Sequence, residues 1–286
     1  MARLSLLEIF GLDPIELRAR EAWFAIRGDA SVPATRFGLS SLGVLHPALS
    51  LKTWLGARRS DRRVPITNLF NRTQTPITAG WSVRKTQVRD FRGGTLTYDS
   101  HNGTDFAVPV GTVVVAAAPG KVLRISSEFN RGGLKVFIDH GRGLVTTSNH
   151  LARALVRVGD VVARGEPIAL SGYSGIDALV AFPWSVPHVH FNVWLDGRYE
   201  DPFAASGETS LWIDGDDPRP PDGTSDAAWD GPDLDEASMD RLFLENYYPT
   251  RFPSREPLYR EVHAREPRLT LPFRPDDFVG IMFPRT

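Results

Sequence analysis

Residues 101–122 read HNGTDFAVPVGTVVVAAAPGKV, and this stretch decides the fold class. His101 and Asp105 lie four positions apart and are followed at once by a valine-rich run that is typical of a β-strand. The Gly-Lys pair at the end of the run indicates a turn into another strand. The histidine and aspartate are therefore either two ligands of a metal or the polar residues of an ordinary turn.

Short β-like runs continue as far as about residue 204, separated by glycine-containing turns. The runs are Val113–Ala118, Lys121–Ile125, Leu134–Asp139, Leu144–His150, Val161–Leu170 and His188–Leu195. Regularly spaced short strands favour a sandwich or barrel over an α/β sheet. We therefore expect a mainly β protein, whose antiparallel sandwich or barrel-like core at residues 96–204 lies between mixed extensions at 1–95 and 205–286.

The extensions are expected to contain short helices. Residues 13–28 predict a helix that is capped by Asp13 and ended by Gly28. Its apolar stripe would consist of Ile15, Ala19, Ala22, Trp23 and Ile26.

Residues 214–236 are acidic and rich in proline and glycine, which indicates a linker or an extended surface segment. A second helix is expected at 235–247. Its apolar face would contain Met239, Leu242, Phe243 and Tyr247. The tail keeps large apolar groups and is expected to pack along another surface; these groups are Phe273, Phe278, Ile281, Met282 and Phe283.

Composition excludes several classes of function. The 286 residues contain no cysteine, so disulfides, thiolate zinc sites and cysteine nucleophiles are absent. A formal charge of −1 indicates neither nucleic acid nor an anionic membrane as a partner. The cluster Arg58, Arg59, Arg62 and Arg63 is better explained as a solvated face than as a polyanion site.

The sequence offers no targeting or membrane signal. There is no run of about 18 apolar residues that would indicate a membrane span. Residues 1–20 do not look like a secretory signal, which predicts a soluble, unexported chain unless the true start lies upstream or a signal has been removed. The sequence does not indicate an oligomeric state.

The histidines carry most of the functional information. In PHVHF, residues 187–191, His188 and His190 would project to the same face of a strand, and a polar pair on an apolar strand favours metal binding or catalysis. His101, Asp105 and one histidine of this pair would supply the three protein ligands of a catalytic zinc site. Asn102-Gly103-Thr104 is also a glycosylation sequon, and a glycan there would block such a site.

Three stretches together resemble the lysostaphin-like zinc metalloendopeptidases over residues 96–204. They are HNGTDFAVPVGTVVVAAAPGKV, VFIDHGRGLVTTSNHLARALVRVGDVVARGEPIALSG and PHVHFNVWLDGRYEDP. The resemblance implies that His101, Asp105 and His190 are the zinc ligands. It implies that His150 and His188 form a catalytic pair beside a zinc-activated water, without indicating which of the two is the general base.

The resemblance also implies a peptide or peptidoglycan substrate, cleaved in its cross-links, and a place in the bacterial cell envelope. The chain departs from the family pattern at Asn192, where a glutamate is common, and at Ser148 and Asn149, where a tyrosine is common nearby. It also carries a longer apolar insert at 176–186 (including Leu179, Val180, Phe182 and Trp184). The insert would either form a wall or lid of the cleft or pack against an extension.

Two other functions are compatible with parts of the sequence. A non-catalytic regulatory or binding module on the same fold is disfavoured because all five site residues are present. A lipoyl-like carrier is disfavoured because no lysine follows Lys135. His140 is expected to be structural, while His46 and His263 have no evident partners in the sequence.

Overall fold

The computed structural model describes residues 3–28, 33–75, 77–176, 180–252 and 254–284. Within them the strands are β1 (Arg63–Asn68), β2 (Thr104–Ala107), β3 (Val113–Val115), β4 (Gly120–Glu128), β5 (Gly133–Asp139), β6 (Leu144–Ala154), β7 (Val161–Val162), β8 (Pro167–Ser171), β9 (His188–Leu195), β10 (Arg198–Glu200) and β11 (Gly280–Met282). The α-helices are α1 (Leu6–Phe10), α2 (Ile15–Arg27), α3 (Pro47–Trp54) and α4 (Glu236–Tyr247). Short 3-10 turns occupy Leu39–Val44, Ile77–Ala79 and Pro249–Arg251.

The strands form one sheet in the order β11-β1-β2-β9-β6-β5-β4-β7. Off this path, β10 pairs with β9, and β8 pairs with both β3 and β6. All of these pairings are antiparallel except that of β1 with β11, which is parallel. The prediction of a mainly β protein with an antiparallel core is therefore confirmed, although the sheet does not close into a barrel.

The predicted strand positions agree well with the structure, with one correction. β9 has the predicted bounds, His188–Leu195. The run Val161–Leu170 is not one strand but two, β7 and β8, because a turn lies between them. In that turn the Glu166 amide donates to the Ala163 carbonyl, and Gly165 adopts a φ of 79° that favours glycine. β1 and β11 lie outside the predicted β region.

Two hydrophobic cores lie on opposite sides of the central strands. The larger one contains Phe106, Phe191 and Trp212. The smaller one forms where α4 covers the outer face of β5, β6 and β9, and there Phe137 stacks on Trp194 with ring centroids 5.3 Å apart. The apolar face predicted for α4 is buried. The N-terminus of α4 is capped by Asp235, whose Oδ1 accepts a hydrogen bond from the Ser238 amide at 2.7 Å.

The first long helix packs differently from its prediction. α2 starts after Pro14, with no side-chain cap, so the expected cap at Asp13 is wrong. Ile15 and Trp23 are exposed, whereas Arg18 is buried. Arg18 donates to the Ser127 carbonyl at 2.8 Å and pairs with a glutamate on its own helix at 2.8 Å. The helix therefore docks on β4 through polar contacts, and its apolar stripe is not the buried face.

An aromatic cluster joins the N-terminal helices to the insert. It consists of Phe10, Trp54, Tyr173 and Phe182, whose ring centroids lie 5.0 to 6.4 Å apart. Beside it, the Ser50 hydroxyl lies 2.6 Å from the Pro183 carbonyl oxygen. The C-terminal tail packs as expected, because Phe273, Phe278 and Ile281 are all buried. None of the described helices is long and apolar enough to cross a membrane.

Candidate metal centre

Three side chains converge where β2 and β9 run side by side. Asp105 on β2 is the direct cross-strand neighbour of His190 on β9, and His101 lies just before β2. Asp105 Oδ1 lies 3.0 Å from His101 Nε2 and 2.7 Å from His190 Nδ1, and these two nitrogens are 3.1 Å apart. All three residues are buried. Ligand atoms at tetrahedral zinc, with bonds of about 2.0–2.1 Å, lie about 3.3 Å apart. Two imidazoles and a carboxylate at this spacing fit a Zn²⁺ ion.

Asn68 of β1 and Leu69, which follows the strand, orient two of these three side chains by hydrogen bonding. His101 Nδ1 lies 2.6 Å from the Leu69 carbonyl oxygen, which can only accept, so the proton is on Nδ1 and the lone pair is on Nε2. The Asn68 amide donates to Asp105 Oδ2 at 2.8 Å and leaves Oδ1 for the metal. These partners are not predictable from the motif, because they lie far from it in the sequence and outside the expected β region.

The third ligand is held by an asparagine network, consisting of Asn102, Asn149 and Asn192. His190 Nε2 lies 2.9 Å from the Asn192 amide nitrogen and 3.2 Å from Asn102 Oδ1. Asn192 donates to the Asn102 carbonyl at 2.8 Å, and Asn149 donates to Asn192 Oδ1 at 2.7 Å and to the His190 carbonyl at 2.9 Å. Asn149 and Asn192, which depart from the family pattern, thus belong to one neutral network. Since the Asn102 side chain is buried within it, the sequon has no room for a glycan.

The electrostatics favour the metal-binding forms of these ligands. Burial alone would raise the pKa of Asp105, but its electrostatic and hydrogen-bonding interactions with His101, His188 and His190 hold it well below its ordinary value. Burial lowers the pKa of His190, against the opposing effect of the Asp105 carboxylate. An anionic aspartate and a neutral histidine are the forms that coordinate a metal.

His150 and His188 lie together beside the three ligands, with ring centroids 4.7 Å apart. His188 Nδ1 lies 2.7 Å from the Val186 carbonyl oxygen, and His150 Nδ1 lies 2.8 Å from the Ser174 carbonyl oxygen. In each ring the proton is therefore on Nδ1, and Nε2 can accept another. His150 has a φ of 59°, a left-handed conformation that is strained for a histidine. The structure thus brings all five predicted site residues to one place.

A cavity of about 270 Å³ opens above these residues. Its walls include Leu42 and Leu45 from the N-terminal segment, and Val180 and Trp184 from the insert. The insert therefore faces the cleft with part of its surface and packs in the aromatic cluster with Phe182. Residues 177–179, which include Leu179, lie outside the described residues.

His140 and His263 do not line this cavity. His140 is buried, with Nδ1 2.8 Å from the Pro119 carbonyl oxygen and Nε2 2.8 Å from Thr146 Oγ1. Burial lowers the pKa of His140 to about 3, so its ring is neutral and structural, as expected. His263 Nδ1 lies 2.6 Å from Asp196 Oδ1, a partner that the sequence did not reveal.

The sequence model of Peptidase family M23 matches residues 99–202, which contain all five of these residues. The chain carries a Peptidase family M23 domain. The resemblance to lysostaphin-like peptidases is thereby confirmed.

Proteins similar to the M23 domain include both hydrolases and a regulator. Peptidoglycan DD-endopeptidase ShyA of Vibrio cholerae serotype O1 is 33% identical over 124 residues, which is 43% of this chain and 27% of that protein. Murein hydrolase activator EnvC of Escherichia coli (strain K12) is 44% identical over 93 residues, 32% of this chain and 20% of that protein. The catalytic domain of lysostaphin from Staphylococcus simulans has a TM-score of 0.32 and 28% identity, over 36% of this chain and 77% of that one. The chain spans about a quarter of the length of the curated relatives it matches (23%, 27% and 25% of three of them).

Proposed function

We propose that this protein is a zinc-dependent endopeptidase that hydrolyses peptide bonds in peptidoglycan cross-links. In this proposal His101, Asp105 and His190 hold the metal, while His150 and His188 act on the reacting groups. The observation that carries it is the convergence of three ligand atoms within 3.1 Å beside a pair of histidines in one cavity. The name of the Vibrio cholerae relative supports the substrate class.

The chemistry divides between the metal and the protein. Bound Zn²⁺ supplies Lewis acidity and lowers the pKa of a coordinated water to about 7. Each of the two histidines presents an Nε2 that can take a proton, or donate one to a developing oxyanion once it is protonated. The Nδ1 hydrogen bonds to the Val186 and Ser174 carbonyls fix the tautomers that these roles require.

The proposal places this chemistry in residues 96–204, with 1–95 and 205–286 as extensions. The N-terminal extension supports the site, because Asn68 and Leu69 contact two of the ligands. Since the similar endopeptidase acts on peptidoglycan, we also propose that the protein acts in the bacterial cell envelope.

A non-catalytic regulatory module is the second candidate, because one similar protein is named as a murein hydrolase activator. A regulator of this kind has no need for a complete set of ligands and a paired general base. The presence of His101, Asp105, His150, His188 and His190 at one place therefore favours the enzyme.

Digestion of purified sacculi by the zinc-loaded protein, followed by mass spectrometry, tests the proposal. We expect cross-linked muropeptides to be converted to uncross-linked ones, and a variant with both His150→Ala and His188→Ala to retain zinc and release none. Elemental analysis of both proteins provides the control for the metal. Full zinc occupancy with no cleavage by the unmodified protein would support the regulatory module instead.

A further inference from the structure

Arg131 lies in the turn between β4 and β5 and is only 6% exposed. Its Nη1 donates to the carbonyl oxygen of Asn130 at 2.9 Å. Among the described residues, neither its Nε nor its Nη2 has a hydrogen-bond partner, and no carboxylate forms an ion pair with it. A buried guanidinium with two unsatisfied donors is unfavourable unless something else pairs with it.

The other buried cations among the described residues, Lys135 and Arg18, are paired, and Arg131 differs from them. Lys135, four positions later, lies 2.6 Å from Glu128 Oε2, and Arg18 lies 2.8 Å from Glu21 Oε2. Around Arg131 the interacting groups are tyrosines, and burial lowers the pKa of its guanidinium. An arginine nonetheless stays charged in such surroundings.

The position of Arg131 connects it to the proposed catalytic site. It lines the same cavity as His150, His188 and His190. The turn that carries it is bonded to β6, because the His150 amide donates to the Gly132 carbonyl at 2.8 Å. A substrate that occupies the metal centre and fills this cavity would therefore lie beside the turn that carries Arg131.

We propose that Arg131 binds a carboxylate of the peptide substrate and so helps to select what is cleaved. The inference rests on the proposed function and names one feature of its substrate. Nε and Nη2 form one edge of the planar guanidinium, and this edge matches the two oxygens of a carboxylate. Trp81, whose ring centroid lies 5.9 Å from the guanidinium carbon, flanks the same position.

Cross-linked muropeptide dimers test this directly. They are used in their native form and with their carboxylates converted to carboxamides. For the unmodified protein we expect kcat/KM to be about 10–100-fold higher for the native dimers, the range for charged hydrogen bonds. Arg131→Gln should lose this preference, mainly by slowing cleavage of the native dimers, while Arg131→Lys should recover only part of it. Dimers amidated at the terminal carboxylate only, or at side-chain carboxylates only, assign the group that is bound.

The matched control is Arg157→Gln, because Arg157 is exposed and lies on a loop away from the cavity. It should leave the preference unchanged. Zinc content should be the same in all variants, and Arg131→Gln should melt no lower than the unmodified protein, since it removes an unpaired buried charge. Equal preference in Arg131→Gln and the unmodified protein would overturn the inference, and a lower melting temperature with the preference intact would assign Arg131 a packing role instead.

Calorimetric binding of the same dimers to the zinc-loaded His150→Ala, His188→Ala protein separates this inference from the proposed activity. We expect native dimers to bind more tightly than amidated ones, and the difference to vanish when Arg131→Gln is added. Selective binding without any cleavage by the unmodified protein would refute the endopeptidase and retain the carboxylate site. Absence of selective binding would refute the carboxylate site.

Discussion

Replacing Asn192 by alanine should weaken both the fold and the metal site. Asn192 is fully buried on β9, two residues after His190. Its amide nitrogen donates to the Asn102 carbonyl at 2.8 Å, and its oxygen accepts from Asn149 at 2.7 Å. Loss of these two bonds, at about 1 kcal/mol each, together with a buried acceptor left unpaired, predicts a decrease of about 2–4 kcal/mol in the free energy of unfolding.

The same variant should bind zinc about 10–100-fold less tightly, because it loses the contact of Asn192 with His190 Nε2 and no longer fixes Asn102 beside that ring. Competition with a chromophoric chelator measures the zinc affinity, and denaturant titration of the metal-loaded and metal-free forms measures stability. The control is Asn246→Ala. Asn246 is also buried and donates to the Leu242 carbonyl at 2.8 Å, but it lies on α4 away from the site. If both variants lose stability and both keep zinc affinity within twofold, the asparagine network does not tune the metal.

Four further outcomes are expected. His190→Ala should lose most of its zinc by elemental analysis, and full occupancy would show that it is not a ligand. His150→Ala and His188→Ala should each keep zinc but cleave sacculi about 10²–10⁴-fold more slowly, whereas near-normal rates would remove that residue from the mechanism. Trp184→Ala should alter the set of muropeptides released without changing zinc content or melting temperature, since Trp184 is half-exposed and lines the cavity. An unchanged product profile would mean that the insert does not select substrates. Burial lowers the pKa of His140 from 6.5 to about 3, so its contribution to stability is present above pH 6.5 and lost as the pH falls towards 3. Over this interval the free energy of unfolding of His140→Gln should fall less steeply than that of the unmodified protein, by up to about 1.4 kcal/mol per pH unit. Parallel profiles of stability against pH would contradict this.

The sequence predicted best those features that depend on neighbouring residues. The alternation in PHVHF placed His188 and His190 on one face of a strand, and β9 has the predicted bounds. The spacing of α4 likewise predicted its buried face, because that helix packs through apolar side chains on a flat sheet.

Features that depend on distant contacts were not predictable in this way. The stripe assigned to α2 was wrong because Arg18, a residue that usually faces solvent, finds two acceptors at Ser127 and becomes the anchor of the helix. The partners of the ligands, Asn68 and Leu69, lie on and after a strand that precedes the motif by more than thirty positions. Nothing in the local pattern of that strand indicates which side chain it would meet.

The parallel pairing of β1 with β11 has a consequence for how the protein is made. Arg63 and Val64 pair with Gly280 and Ile281, so this edge of the sheet cannot form until the ribosome has released almost all of the described chain. Asn68 of β1 and Leu69, which follows it, form the hydrogen bonds to Asp105 and His101. A nascent chain that has emerged only as far as β9 would therefore present its histidines and aspartate while β1 is paired on one edge only, with β2. The full affinity for the metal is thus expected to arise only after β11 has been translated.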